Sequence, residues 1–224
     1  GAISCDLQDA ESMKATLDLF RALGSANTDC RQDGAALGYG PREGWLFNSG
    51  LEGIEKADAV LIVGANPRTE APLLNARLRK AWLKGDMEIG LIGEQADLTF
   101  DYAYLGAGSK TLGKLPKSAL DVLTKAERPA IIVGSGALGG EGGAAVLNAL
   151  GALAKKVGVV TDSWNGFNVL HHAAARVAGL DMGFVPAEGG LTVAQMLKPD
   201  ALDVLFLLGA DEVDPTGSNA FRVY

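Results

Sequence analysis

Short, uninterrupted apolar runs recur along this chain, and each of them ends at a glycine. The runs cover residues 59–63, 130–133 and 204–208, and the glycines that follow them are Gly64, Gly134 and Gly209. A strand with one face in water alternates apolar and polar residues, whereas a continuous apolar run is typical of a strand that is covered on both faces. The runs therefore predict parallel strands inside an α/β sheet, with a tight turn where each strand ends.

Two helical patterns flank the first of these runs. The earlier helix is preceded by Asp9, a typical N-cap residue, and is expected to end at Gly24. Its apolar stripe consists of Met13, Leu17, Phe20 and Leu23. The later helix begins at Pro72, which suits a first turn, and ends at Gly85. Its stripe consists of Leu74, Leu78, Ala81 and Trp82. With residues 89–92 as the next strand, this segment predicts a right-handed βαβ unit.

The second half of the chain repeats this order of strands and helices. The expected elements are a strand at 130–133, a helix with Val146, Leu150 and Leu153 in its stripe, a strand at 157–160, a helix near 169–177, a short helix that Thr192 begins, and a strand at 204–208. Such alternation predicts an α/β fold made of two Rossmann-like, doubly wound units with mainly parallel sheets. Because Pro116 and polar neighbours interrupt the pattern, the predicted units are residues 1–115 and 116–224.

Charge and cysteine content exclude several classes of function. The net charge of -7 provides no basic field for nucleic acid, so no nucleic-acid partner is expected. Cys5 and Cys30 are the only cysteines and lack C-x-x-C spacing, so this chain alone cannot hold a thiolate-bound iron–sulfur cluster. No apolar run approaches the ~20 residues that cross a bilayer, so direct membrane insertion is not expected. The abrupt first and last residues are typical of a segment cut from a longer chain.

The turns after two predicted strands form a candidate ligand crevice. Gly64, Asn66 and Pro67 follow the strand at 59–63, and Gly209 and Asp211 follow the strand at 204–208 in a similar pattern. Ligands of open α/β sheets bind where loops diverge at the carboxyl ends of strands. The alternative is purely structural, because glycine and asparagine are also the residues that make tight turns.

A second motif, Gly134-Ser135-Gly136-Ala137-Leu138-Gly139, fits the G-x-G-x-x-G pattern of dinucleotide-binding folds and suggests NAD as an alternative ligand. More glycines follow at once, so the next helix is expected to begin late and Gly139 cannot pack it against a strand. The acidic residue that would bind the ribose, Asp162, lies beyond the usual spacing of ~20 residues. NAD binding is therefore the weaker interpretation of this motif.

Other polar residues are interpreted as structural. Ser135 lacks the full G-x-S-x-G frame of a hydrolase nucleophile. His171 and His172 lie in a predicted helix, where neighbouring side chains point about 100° apart and cannot easily share one metal. Arg77, Arg79, Lys80 and Lys84 predict a solvated basic face that an acidic neighbour can also contact. We therefore predict no catalytic residue and no metal ligand in this segment.

The sequence also resembles a known family. Residues 64–72 read G-A-N-P-R-T-E-A-P and resemble the G-x-N-P-x-x-x-x-P turn of molybdopterin oxidoreductases. Residues 66–79, 92–102 and 104–108 resemble the large iron–sulfur subunit of respiratory NADH:quinone oxidoreductase, complex I. Residues 128–134, 207–212 and 223–224 resemble the same subunit in the same order. The resemblance covers essentially the whole chain.

This resemblance implies a molybdopterin-oxidoreductase-like scaffold that holds no molybdenum cofactor, so that Gly64, Asn66, Pro67, Gly209 and Asp211 line a vestigial crevice. It implies that the iron–sulfur clusters of the subunit belong to cysteine-rich domains preceding this segment. It also implies partners among the other peripheral-arm subunits of complex I. The implied location is the cytoplasmic side of a bacterial inner membrane or the matrix side of a mitochondrial one.

One alternative from the enzyme class remains open. In a fragment of a molybdopterin guanine dinucleotide oxidoreductase, Asn66 and Asp211 face the two nucleotides of the cofactor. The acidic residues after the last predicted strand disfavour this alternative, because Asp211, Glu212 and Asp214 repel pyrophosphates.

Overall fold

The structure, a computed structural model, describes all residues from 1 to 224. The strands are β1 (Ala2–Ser4), β2 (Thr28–Asp29), β3 (Ala59–Val63), β4 (Glu88–Ile92), β5 (Ala103–Gly106), β6 (Pro129–Gly134), β7 (Phe167–Leu170), β8 (Val204–Leu208) and β9 (Phe221–Val223). The helices are α1 (Ala10–Ala22), α2 (Gly50–Gly53), α3 (Pro67–Glu70), α4 (Pro72–Leu83), α5 (Lys117–Lys125), α6 (Gly143–Val157), α7 (Ala175–Met182) and α8 (Val193–Met196). None of these helices is both long enough and apolar enough to cross a membrane.

The chain folds into two compact units. Residues 43–172 form a central unit, and residues 1–42 together with 173–224 form a discontinuous unit. The central unit contains a five-stranded sheet in the order β5-β4-β3-β6-β7, and the discontinuous unit contains a four-stranded sheet in the order β2-β1-β8-β9. Every strand pair in both sheets is parallel, as the continuous apolar runs predicted. The α/β class with parallel sheets is thus confirmed.

The strand order of the central unit creates a topological switch point. The chain passes from β3 through α4 to β4 on one side of β3, and later returns to place β6 on its other side. Helix α4 buries Leu74, Leu78 and Ala81 on one face of the sheet, where they join Val60 and Ile62 in the core. Loops diverge at the carboxyl ends of β3 and β6, which is where α/β folds bind ligands.

The discontinuous unit has a smaller core of its own. Ile3, Leu205 and Leu207 of the sheet pack with Val193 and Met196 of α8. Helix α1 begins as predicted, because the Asp9 carboxylate accepts a hydrogen bond of 2.7 Å from the Ser12 backbone N–H. Its residues Met13, Leu17 and Phe20 are buried, but Leu23 is 69% exposed, so the predicted stripe ends one turn early.

The predicted division at residues 115 and 116 does not match the compact units. Strands β3 and β6 lie on opposite sides of that division in the sequence, yet they are hydrogen-bonded neighbours from Ala59 and Pro129 to Val63 and Val133. A boundary between them would cut through the middle of one sheet. The polar segment around Pro116 is instead a connection within the central unit.

The predictions for residues 157–177 were wrong. Val157 ends α6, and Gly158 adopts a left-handed φ of 70° as the helix C-cap, so residues 157–160 form no strand. The strand that pairs with β6 at the edge of the central sheet is instead β7, which contains the fully buried polar residue Asn168. Its amide side chain bonds Ser49 and Gly166, which makes a polar residue tolerable inside a sheet. The helix expected near 169–177 begins only at Ala175.

Part of the predicted basic face of α4 is committed to an ion-pair network. Glu55, whose side chain is 14% exposed, binds Arg77 at 2.5 Å and Lys80 at 2.7 Å. The Lys80 ammonium and the Arg77 guanidinium lower the pKa of Glu55 to about 2. This carboxylate therefore ties the segment before β3 to the helix that follows it.

Glu55 is expected to give the fold a specific pH dependence. Because the folded-state pKa is depressed, the stabilisation is complete above the unfolded pKa of about 4.3 and is lost as pH falls from there through about 2. Urea unfolding of wild type and Glu55→Gln should show wild type more stable at pH 7, with a clearly smaller difference at pH 3. An equal difference at both pH values would contradict this network.

Candidate functional site

The turn after β3 carries the first part of the predicted crevice. Gly64 adopts a left-handed φ of 57°, and its N–H donates to Ile92 O at 2.8 Å. The N–H of Asn66 donates to Glu70 Oε1 at 2.5 Å, and Pro67 has no N–H. The protein's own carboxylate thus occupies a backbone donor that a phosphate would need. The Asn66 side-chain oxygen is buried and has no hydrogen-bond partner.

Two open clefts flank this turn at the carboxyl ends of the central strands. The first, of about 320 Å³, is lined by Asn66, Glu70, Glu94 and Gln95 among others. The second, of about 360 Å³, is lined by Gly64, Glu94, Gly136 and Ala137 among others. The only charged residues in these linings are Glu70 and Glu94. The crevice therefore presents carboxylates and no cation.

The two loops of the switch point touch each other. A Cβ atom on Gly64 would lie 2.5 Å from Ala137 Cβ, and a Cβ atom on Gly134 would overlap Gly64 O. The β3 turn and the β6 turn therefore lie in close contact where the two strands end. An open switch point, into which a ligand inserts, requires these loops to stand apart.

Two basic residues near this crevice, Arg68 and His172, lie beside carboxylates. Arg68 binds the Asp97 carboxylate at 2.5 Å and the Asp97 carbonyl oxygen at 2.8 Å. His172 lies 3.7 Å from the Glu70 carboxylate and is an exposed residue that follows β7. The histidine pair is thus placed after a strand and not in the predicted helix. His171 instead contacts the Trp45 carbonyl oxygen at 2.7 Å.

The second part of the predicted crevice lies in the other sheet. Gly209 follows β8 with a left-handed φ of 59°, which repeats the conformation of Gly64 after β3. The sequence similarity of the two turns thus corresponds to a real structural similarity. Because β3 and β8 belong to different sheets, Gly64, Asn66 and Pro67 lie in the central unit, whereas Gly209 and Asp211 lie in the discontinuous unit. Asp211, Glu212 and Asp214 are exposed here and present only negative charge.

The G-x-G-x-x-G motif does not form a dinucleotide-binding turn. Residues Ser135–Leu138 form a 3-10 helix, and α6 begins only at Gly143, which confirms the late helix start. No helix N-terminus points back at the end of β6 directly after Gly136. Ser135 is 3% exposed, so it cannot act as an accessible nucleophile.

Sequence reasoning missed two buried arginines of the discontinuous unit. Arg176 is 3% exposed and binds both carboxylate oxygens of Asp6 at 2.9 Å and one of Asp33 at 3.0 Å. Arg31 is 4% exposed and binds the buried carboxylate of Asp29. Each arginine has its partners in the same unit, so these groups hold loops together and leave no unpaired guanidinium for an anionic ligand.

Cys30 lies beside this polar network and is buried. Burial raises the pKa of its thiol to about 12, with the Asp29 carboxylate adding to the effect. Since the thiolate is the reactive form, we expect alkylation of Cys30 at pH 8 to be more than about a hundredfold slower in the folded protein than in urea. Pulse labelling with iodoacetamide and peptide mass spectrometry measures both rates, and comparable rates would contradict the buried, neutral thiol. Because the pKa of Cys30 is higher in the folded protein than in the unfolded chain, the free energy of unfolding should fall as pH rises from about 8.5 towards 12.

These strand ends do not fit a cofactor that carries a pyrophosphate. Both clefts are lined by carboxylates, the Asn66 N–H is taken by Glu70, and Arg68 is paired with Asp97. Anion sites at strand ends need free N–H groups and cations, whereas the linings of both clefts contain no cation and the N–H groups of Gly64 and Asn66 are engaged. The structure also contains no cluster of three or more His, Cys, Asp or Glu side chains suited to a metal ion.

Three similar proteins found by comparison with known proteins are named as subunits of the same mitochondrial enzyme. The 78 kDa subunit of mitochondrial NADH-ubiquinone oxidoreductase from Candida albicans is 41% identical over 100% of this chain and 31% of its own length. The subunit of that name from Neurospora crassa is 40% identical over 100% of this chain and 30% of its length. The iron-sulfur protein 1 of mitochondrial NADH dehydrogenase from Solanum tuberosum is 38% identical over 97% of this chain and 29% of its own length. The chain thus spans about 30% of the length of these relatives.

Two further comparisons concern the fold and the family. A chain of the formyltransferase/hydrolase complex from Methylorubrum extorquens superposes with a TM-score of 0.51 at 16% identity, over 99% of this chain and 79% of that chain, which shows a shared fold only. The sequence profile of the molybdopterin oxidoreductase family matches residues 1–224. A match over the full length is decisive for family membership. The chain belongs to the molybdopterin oxidoreductase family.

Proposed function

We propose that this chain is the molybdopterin-like region of the large iron–sulfur subunit of an NADH:quinone oxidoreductase, and that its role there is structural. The observation that carries the proposal is the 38–41% identity to such subunits over 97–100% of the chain. In the complete enzyme, electrons from NADH pass to quinone through clusters held elsewhere in the subunit. This region supports the peripheral arm through contacts with neighbouring subunits and lies in the aqueous part of the complex, on the cytoplasmic or matrix side.

The charge at the strand ends supports a scaffold without a redox centre. Glu70 and Glu94 line the clefts, and the loops after β3 and β6 are in contact. Recruiting a pyrophosphate there would require desolvating carboxylates next to it, which is strongly unfavourable. The second candidate, a cofactor-binding fragment of a molybdopterin guanine dinucleotide oxidoreductase, is favoured by one observation, the buried and unpartnered Asn66 oxygen.

One experiment separates the two candidates. The protein is purified gently and denatured, and released small molecules are identified by mass spectrometry while molybdenum, tungsten and iron are measured in the same sample. The scaffold function predicts no pterin and no metal above a few per cent of the protein concentration. About one pterin dinucleotide per chain would overturn it and establish the second candidate.

A further inference from the structure

The central unit has another cleft at the opposite end of its sheet, where β3, β6 and β7 begin. Its volume is about 380 Å³, which is within the range of small-molecule sites. Lys56, which precedes β3, and Arg128, which directly precedes β6, are its only charged lining residues. Polar and aromatic groups from Asn48, Ser49, Trp164 and Asn165 line the rest. The charged residues that line this cleft are thus opposite in sign to those that line the two clefts at the carboxyl ends of the strands.

Neither cation of this cleft has an ion-pair partner. Lys56 and Arg128 are exposed and form no ion pair, unlike Arg68, Arg77 and Lys80 of the same unit. Of the carboxylates nearby in sequence, Glu55 is paired with Arg77 and Lys80. Asp58 accepts hydrogen bonds from the backbone N–H groups of Glu127 and Arg128, at 2.7 and 2.9 Å, and forms no ion pair with either cation. Two cations without ion-pair partners beside one cavity favour the binding of an anion.

The walls of this cleft are fixed by hydrogen bonds. Trp164 Nε1 donates to the carbonyl oxygen of Pro129 at 2.8 Å, which holds the indole beside Arg128. The side-chain amide of Asn48 donates to Phe167 O at 2.5 Å. Both the N–H and the hydroxyl of Ser49 donate to the buried Asn168 side chain, at 2.9 and 3.0 Å. A cavity preformed in this way binds a ligand with little loss of conformational entropy.

We propose that this cleft binds a small molecule bearing a phosphate group. Lys56 and Arg128 supply two positive charges, which match one phosphate dianion, and the guanidinium of Arg128 can bind two of its oxygens. The ring of Trp164 offers an apolar wall for the remainder of the ligand. A concave site of this size holds a small anion better than it holds an extended acidic segment of a protein. This proposal concerns the sheet end remote from the vestigial crevice and does not depend on the proposed function.

The test is a titration of the full chain with inorganic phosphate at low ionic strength. Calorimetry measures the affinity, and protein NMR locates the residues that respond. We expect saturable binding that weakens as salt is added, with shifts confined to Lys56, Arg128, Trp164 and their neighbours. Lys56→Gln/Arg128→Gln should weaken binding by about tenfold or more, because the charge-assisted bonds are lost. The control Lys84→Gln/Lys156→Gln removes the same net charge from exposed lysines outside the cleft and should bind like wild type.

Three results would overturn the proposal. The first is no saturable binding of phosphate by the folded wild-type chain. The second is an equal loss of affinity in both double variants, which would show a general charge effect. The third is tight binding of a glutamate-rich peptide that inorganic phosphate does not displace, which would make the cleft a docking site for an acidic protein segment.

Discussion

Gly134→Ala is expected to lower the free energy of unfolding of the central unit by about 3 kcal/mol or more, or to prevent its folding. The added Cβ would overlap the carbonyl oxygen of Gly64 and lie 3.1 Å from Ala65 Cβ. The β3 turn cannot move away freely, since the N–H of Gly64 is bonded to Ile92 O on β4. Relief would therefore require separating β3 from β6 at the centre of the sheet, where packing is densest.

Gly136→Ala is the matched control for this substitution. It lies in the same motif, its φ is not left-handed, and the nearest atom to an added Cβ is His172 Nε2 at 4.0 Å. We expect a change within about 1 kcal/mol, because this position meets open space. Urea unfolding followed by circular dichroism measures both variants. Similar losses in the two would mean that the switch-point loops do not touch as the structure describes.

The apolar pattern of the sequence predicted some strands of the fold and missed or misplaced others. The continuous apolar runs correctly predicted β3, β6 and β8. Strands β3 and β6 are buried along their whole length, as such runs indicate, whereas β8 alternates buried residues with partly exposed ones. Strand β7 was missed because Asn168 interrupts its apolar character, and the hydrogen bonds that satisfy this amide come from residues distant in sequence. The run at 157–160 was misassigned because Gly158 divides it between a helix end and a turn.

The candidate site was predictable only in part. The turns at Gly64 and Gly209 follow from local chemistry, since a left-handed φ after a strand favours glycine. The acidic lining by Glu70 and Glu94 depends on how two loops meet at the carboxyl ends of β3 and β4, which no local pattern encodes. The buried pairs of Arg176 and Arg31 were missed for a similar reason, because arginine in a sequence normally indicates an exposed side chain.

Arg176→Leu is expected to destabilise the discontinuous unit by about 2–3 kcal/mol. The change leaves the carboxylates of Asp6 and Asp33 facing each other without their shared cation. Loss of one partner from a fully buried ion pair costs about 3–5 kcal/mol, but these carboxylates are 27% and 35% exposed and water partly replaces the arginine. Equilibrium unfolding in urea at pH 7 measures the loss.

Two companion variants decide whether charge or packing carries this effect. Lys14→Ala removes an exposed ion pair with Asp18 in the same unit and should change the stability by less than about 0.5 kcal/mol. Asp6→Asn/Asp33→Asn/Arg176→Met removes all three charges at similar volume and should recover the stability to within about 1 kcal/mol of wild type. If the triple variant is as unstable as Arg176→Leu, the arginine acts through hydrogen-bond geometry or packing rather than by neutralising the two carboxylates. Recovery would instead show that the three charges contribute little net stability, because their attraction only offsets the cost of burying the guanidinium.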